Sequence, residues 1–111
     1  MNYSQGDIVL VHVPYSDLSG FKKRPVVIVS NANSVSFSNH LVAKITSKLK
    51  NDNLSFPINQ GDITDNLKKQ SEVRTNEVFT LSESKVEKRI SAFHQNPLER
   101  LLEKVRGHFT P

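Results

Sequence analysis

Four consecutive β-branched residues, Val26-Val27-Ile28-Val29, placed directly after a proline, constrain this chain more than any other feature of it. Branching at Cβ stiffens the side chain and favours the pleated strand over the helix. An uninterrupted apolar run, unlike an alternating one, implies burial on both faces and therefore a central strand. Pro25 cannot donate a ladder hydrogen bond, so the strand is expected to open there and to run until Ser30. A doubly covered strand needs neighbours, and the chain supplies them. Ile8–Val13, opened by Gly6-Asp7 and closed by Pro14, reads as a second strand buried on both faces. Leu41, Ala43 and Ile45 alternate with Val42, Lys44 and Thr46, which predicts a third strand with one partly wet face. Leu54, Phe56 and Ile58 predict a fourth, with Pro57 marking a sheet edge and Gly61-Asp62 a turn. Val73 and Val78–Leu81 suggest one or two more. Tyr15 to Lys23, with Asp17, Ser19 and Gly20, has turn chemistry and is expected to be an exposed loop.

The period changes at the C-terminus. Leu98, Leu101, Leu102, Val105 and Phe109 fall on one stripe of an amphipathic helix, with Asn96 expected as N-cap, Pro97 at the first helical position and Glu99 three residues after the cap. Strands followed by one packed helix give an α+β fold, a small barrel or half-open sheet, and the 111 residues fit one domain over 1–111.

Composition then limits the chemistry. The absence of cysteine excludes disulfides, thiolate nucleophiles and Cys-ligated metals, and suits a reducing compartment. Met1–Gln5 have neither a basic flank nor an apolar stretch, and no later run approaches membrane-spanning length, so a cytoplasmic location is the expectation. The net charge of +4 favours polyanionic partners, but a solvated basic surface explains it equally well. The four histidines, His12, His40, His94 and His108, are scattered, which argues against a metal site, and no cofactor is expected. His12, among valines, reads as a hydrogen-bonded structural histidine more readily than as a general base. There is no phosphate-cradling glycine loop, nucleophile elbow or aromatic-rich RNA platform.

Four segments in order carry a family resemblance: Gly6-Asp7-Ile8-Val9-Leu10-Val11, Lys22-Lys23-Arg24-Pro25-Val26-Val27-Ile28-Val29-Ser30, Ile45-Thr46-Ser47, and Val73-Arg74 through Phe79-Thr80-Leu81. Together with the C-terminal helix they resemble the MazF/PemK group of toxin–antitoxin ribonucleases over nearly the whole chain. The resemblance implies an SH3-like barrel that homodimerises, cuts single-stranded RNA without a metal, and is silenced by an antitoxin with a flexible acidic segment. It carries the family's strand-opening arginine onto Arg24 and its catalytic threonine onto Thr46. A second arginine used in one branch falls on Arg74, here given an RNA-binding role, with Asp17, Lys22, Lys23 and Ser47 as the other expected RNA contacts. The chain departs from the pattern where some members carry a glutamate or histidine in the loop before Arg-Pro. One branch has an aspartate where this chain has Asn76, and other members have Arg-Thr where it has Phe79-Thr80.

The chemistry suits those residues. RNA cleavage through its own 2′-hydroxyl needs no outside nucleophile, only proton transfer and charge on the crowded phosphate. A guanidinium grips two phosphate oxygens and keeps its charge, and a threonine hydroxyl can hydrogen-bond beside it. Each residue also has a plainer explanation: Arg24 as half of a surface ion pair, Thr46 as an ordinary strand residue, Lys22 and Lys23 as a solvated run. Two other functions stay open at this point, a non-catalytic toxin that grips a protein target as gyrase poisons of similar fold do, and a plain nucleic-acid-binding barrel.

Overall fold

A computed structural model of the chain describes residues 3–14, 20–34 and 38–111. The elements run β1 (Asp7–Pro14), β2 (Phe21–Ile28), β3 (Asn39–Thr46), β4 (Ser55–Pro57), β5 (Glu72–Ser82), β6 (Val86–Ala92) and α1 (Gln95–Arg106), with short 3₁₀ turns at Ala32–Ser34 and Glu83–Lys85. All strand pairs are antiparallel, in one sheet of order β4-β5-β3-β2-β1-β6. The sheet is not closed, so the barrel is a half-open one, with β4 and β6 as its two edges.

The β-branched run does what its composition requires. Val26, Val27 and Ile28 are at most 2% exposed, with β1 on one side and β3 on the other. Their alternate side chains feed two separate cores. Val27 joins Ile8, Ala43, Ile45 and Val73 beneath Leu98, Leu101 and Val105 of α1. Val26 and Ile28 join Val9, Val11, Val42 and Leu81 on the opposite face. Among the described residues no helix belongs to that second cluster, and Tyr3, Val13 and Val86 pack against it. Gly6 joins sheet to helix: its φ is +93°, and a Cβ there would lie 2.9 Å from a Leu98 methyl.

Several expectations change. Pro25 lies inside β2 rather than at its start; the ladder from β3 ends at Val26↔Lys44, and the residue that cannot donate is the first beyond it. Lys22 and Lys23 are therefore on the strand, not in the preceding loop. Val73 and the 78–81 run belong to a single strand, β5. β6 was hidden by its charged residues Glu87, Lys88 and Arg89, which an edge strand with a solvated face tolerates. The helix begins earlier than its capping signature indicates: His94 is the N-cap, without a side-chain bond, and Asn96 and Pro97 lie within the first turn. Leu98, Leu101 and Val105 are buried, but Phe109 lies beyond the helix end and is 76% exposed. Helical spacing cannot show where a helix stops, and Gly107 stops this one.

Candidate active site

At Pro25 the sheet frays: β2 continues to pair with β1, while β3 has left it. Arg24 is the residue immediately before it in the chain. It is exposed and has no hydrogen bond or ion pair among the described residues. The register Val26↔Lys44, Val27↔Ala43, continued two residues past its last pair, sets Arg24 opposite Thr46. Directly opposed antiparallel residues point to the same face. The two residues marked by sequence thus share one face and one end of the sheet. Thr46 is half-buried at the end of β3, and its Oγ1 accepts from the Lys48 amide at 3.1 Å. With that bond accepted, the hydroxyl proton stays free to donate outward.

The row continues across the sheet, for Thr46 pairs with Glu72 of β5, and Glu72 with Pro57 of β4. Beyond Glu72, β5 bulges: between the pairs Ala43↔Val78 and Ile45↔Val73 it carries Arg74, Thr75, Asn76 and Glu77 against Lys44 alone. Arg74 is 5% exposed and its guanidinium is fully engaged. Nη1 donates to Glu72 Oε2 (2.7 Å), to Asp52 Oδ1 (2.9 Å) and to Ser55 Oγ (2.9 Å), and Nη2 donates to Asp52 Oδ2 (3.2 Å). Glu72, 1% exposed, also takes the Ser55 hydroxyl (2.6 Å) and the amides of Lys50 (3.1 Å) and Asn51 (3.2 Å). Burial alone pushes the Glu72 carboxyl up, but the bonds from Ser55, Arg74 and the two amides outweigh it and hold it down at about 2. The Arg74 hydrogen bond is the main cause that holds Asp52 down at about 2, and Asp52 in turn raises Arg74 above its ordinary value.

The expected RNA contacts therefore divide. The donors of Arg74, expected to contact RNA, are engaged by carboxylates inside the fold. Lys23 pairs with His12 across β1, on the opposite face from Arg24, and its Nζ lies 2.9 Å from Glu87. The strand period of two separates neighbours in sequence onto opposite faces. Lys22 shares the Arg24 face, and Ser47 is exposed directly after Thr46. Asp17 lies outside the described residues. The sequence reading missed Glu72, Asp52 and Ser55. A charged pair at i and i+2 within a strand, Glu72-Val73-Arg74, is the signal that could have found the first, because both side chains must leave the same face. Lys48 and Lys50, exposed after Thr46 and without ion pairs among the described residues, were also missed. Among the described residues no group of three His, Cys, Asp or Glu side chains could hold a metal ion, and no helix is long and apolar enough to cross a membrane.

The fold is that of MazF toxins. The chain superposes on a MazE–MazF crystal structure from Deinococcus radiodurans with a TM-score of 0.73 at 17% identity, covering 97% of this chain and 92% of that one. It matches an endoribonuclease in complex with its cognate antitoxin from a mycobacterial species with a TM-score of 0.72 at 16% identity, over 98% and 99% of the two chains. The Mycobacterium tuberculosis toxin MazF-mt6 gives 0.67 at 20% identity, over 92% and 93%. A search of curated protein sequences finds no match. The family profile of PemK-like, MazF-like toxins of type II toxin–antitoxin systems matches residues 4–109, and the chain belongs to that family.

Proposed function

We propose that this toxin is a metal-independent endoribonuclease that cuts single-stranded RNA at short sequences, with Arg24 and Thr46 at its reactive centre. The observation that carries the reading is the placement of an exposed guanidinium, without a partner among the described residues, on the same face and the same end of the sheet as a threonine hydroxyl. The structural neighbours named as endoribonucleases support it at the level of fold.

In this reading the RNA supplies its own nucleophile. The 2′-oxygen attacks the adjacent phosphorus and gives its proton to a base, the P–O5′ bond breaks, and the 5′-oxygen leaves with a proton. The products are a cyclic phosphate and a 5′-hydroxyl. Arg24 stabilises the charge that builds on the non-bridging oxygens, because a guanidinium in fixed position does so without reorganisation. Thr46 donates to a phosphate oxygen. Glu72, the carboxylate nearest in the ladder, is not the base: it is buried, accepts four hydrogen bonds and is held at about 2.

Lys22 on the Arg24 face, Ser47 and the lysines after Thr46 line the approach to this pair and would contact the flanking phosphates. The protein acts as a homodimer, and a cognate antitoxin silences it by laying a flexible acidic segment over the same cations, which the excess of positive charge favours. The MazE–MazF and toxin–cognate antitoxin complexes among the neighbours support such a partner. The test is incubation of purified protein with a long single-stranded RNA in excess EDTA, with Arg24→Ala alongside and primer extension to map cuts. Discrete cuts in the first and none in the second are expected. Tight RNA binding without products, or undiminished cutting by Arg24→Ala, would overturn the assignment.

A further inference from the structure

Residues 47–53, between β3 and β4, are exposed throughout, so no hydrophobic burial fixes the path of the chain that leaves Thr46. An exposed segment of this kind is ordinarily mobile unless its backbone is tied down by other means. Here the ties are polar and converge on one buried cluster. Lys48 N donates to Thr46 Oγ1. The amides of Lys50 and Asn51 both donate to Glu72 Oε1, an arrangement made possible by the left-handed conformation of Asn51 (φ 49°). Asp52 Oδ1 accepts from the Leu54 amide at 2.9 Å while its carboxylate holds Arg74. The Leu54 carbonyl receives both the amide and the hydroxyl of Thr75 in the β5 bulge. Lys104 of α1 reaches over to the Ser55 carbonyl at 2.9 Å.

We infer that the buried Glu72–Arg74–Asp52 cluster is a positioning device for the active site: it fixes the 47–53 loop, and with it the Thr46 hydroxyl and the amino groups of Lys48 and Lys50, in the geometry that meets RNA. This rests on the nuclease reading above and gives Arg74 a role at one remove from the substrate. The position of β5 between β3 and β4 makes the role available. On the side of β5 away from β3 the ladder with β4 is regular and pairs Arg74 directly with Ser55, so the guanidinium meets Ser55 and, just before β4, Asp52. Because both carboxylates are held at about 2, the device stays charged across the whole physiological range and does not act as a pH switch.

The experiment compares wild type, Asp52→Ala and Glu72→Gln by three measurements on the intact protein: amide exchange at Lys50 and Asn51, kcat and KM on a single-stranded oligoribonucleotide, and thermal unfolding. Asp52 is partly exposed, so Asp52→Ala folds even if Glu72→Gln does not. The expected result is at least tenfold faster exchange at Lys50 and Asn51 in the folded variants. A fall in kcat of about tenfold accompanies it, with KM within about twofold, since Arg24 and the lysines keep their charge. A merely structural role would lower the unfolding temperature and leave kcat per folded molecule intact, and that outcome overturns the inference. So does unchanged exchange at the two amides. A wild-type protein that cuts no RNA overturns the nuclease reading and this extension with it. The exchange data distinguish the two failures, because they report the brace whether or not RNA is cut.

Discussion

Two arginines on one face of one sheet have opposite surroundings. Arg24 stands where β2 has lost its β3 neighbour, exposed and without a partner among the described residues. Arg74 sits two strands away in a bulge, 5% exposed, with the carboxylates of Asp52, Glu72 and Glu77 and the Ser55 hydroxyl on its guanidinium. The same functional group is available for an external anion in one place and consumed by internal anions in the other. Exposure and partner count, not residue type, decide which arginine can meet a phosphate. Arg24 lies just before Pro25, beyond the end of the β2–β3 ladder, whereas Arg74 lies in a strand whose own neighbours supply its counter-charges.

The sharpest test of that contrast is stability. Arg74→Ala leaves Glu72 as an uncompensated buried charge and should cost about 3–5 kcal/mol. Arg24→Ala removes an exposed side chain without a partner among the described residues and should change stability by less than about 0.5 kcal/mol. Urea unfolding of the two variants checks this, and equal losses would break the comparison. Activity should reverse the order. Loss of a donor aimed at developing charge typically lowers kcat about 10²–10³-fold, so Arg24→Ala should fall in that range, far below the roughly tenfold effect expected for loosening the loop. Thr46→Ser should keep most activity and Thr46→Val lose more than it, as single-turnover cleavage will show; equal activities would remove the hydroxyl from the mechanism.

A smaller effect separates the two sites by pH. Asp52 and Glu72 have folded-state values near 2 against ordinary values of 3.8 and 4.5. A depressed carboxyl contributes stability that is complete above its unfolded value and vanishes as pH falls towards its folded one. The wild type should therefore lose stability progressively from about pH 5 down to about pH 2. Glu72→Gln should lose less over that interval, whereas Arg24→Ala should follow the wild-type curve. Urea midpoints at several pH values decide it, and a Glu72→Gln curve parallel to wild type would show that the buried cluster contributes nothing to acid sensitivity.

The sequence made the sheet legible where side chains alternate or run apolar, because burial leaves that pattern in any strand: β1, β2 and β3 follow directly from Ile8–Val13, Val26–Val29 and Leu41–Thr46. β6 was illegible since an edge strand needs little apolar surface, and Glu87-Lys88-Arg89 looks like a loop. Asn96-Pro97 is a good helix opening that the chain does not use, because His94 already sits at the turn out of β6, its amide bonded to the Asp62 carbonyl. At the site, Arg24 and Thr46 were legible through a resemblance, and their place on one face follows from extending the β2–β3 register, which no single strand contains. The Arg74 cluster was not: its members come from Asp52, Ser55 and Glu72, brought together by the pairing of β4 with β5, which no pattern within either strand reveals.

The finest test concerns which face carries RNA. Lys23 and Arg24 are adjacent in sequence but leave β2 on opposite sides, and Lys23 already pairs with Glu87, whose carboxyl is held below its ordinary value mainly by that lysine. Lys48 follows Thr46 on the loop and has no ion pair among the described residues. Each phosphate neutralised by a cation contributes about 0.7 to the slope of log K against log salt for a single strand. Lys48→Ala should therefore flatten that slope by nearly one contact and weaken binding a few-fold at low salt. Lys23→Ala should leave the slope unchanged, because its charge is already matched within the protein and faces away. Fluorescence anisotropy on a 2′-deoxy analogue, over a range of salt concentrations, measures both without cleavage. If Lys23→Ala flattens the slope and Lys48→Ala does not, RNA runs over the opposite face from Arg24, and the exposed guanidinium there needs another explanation.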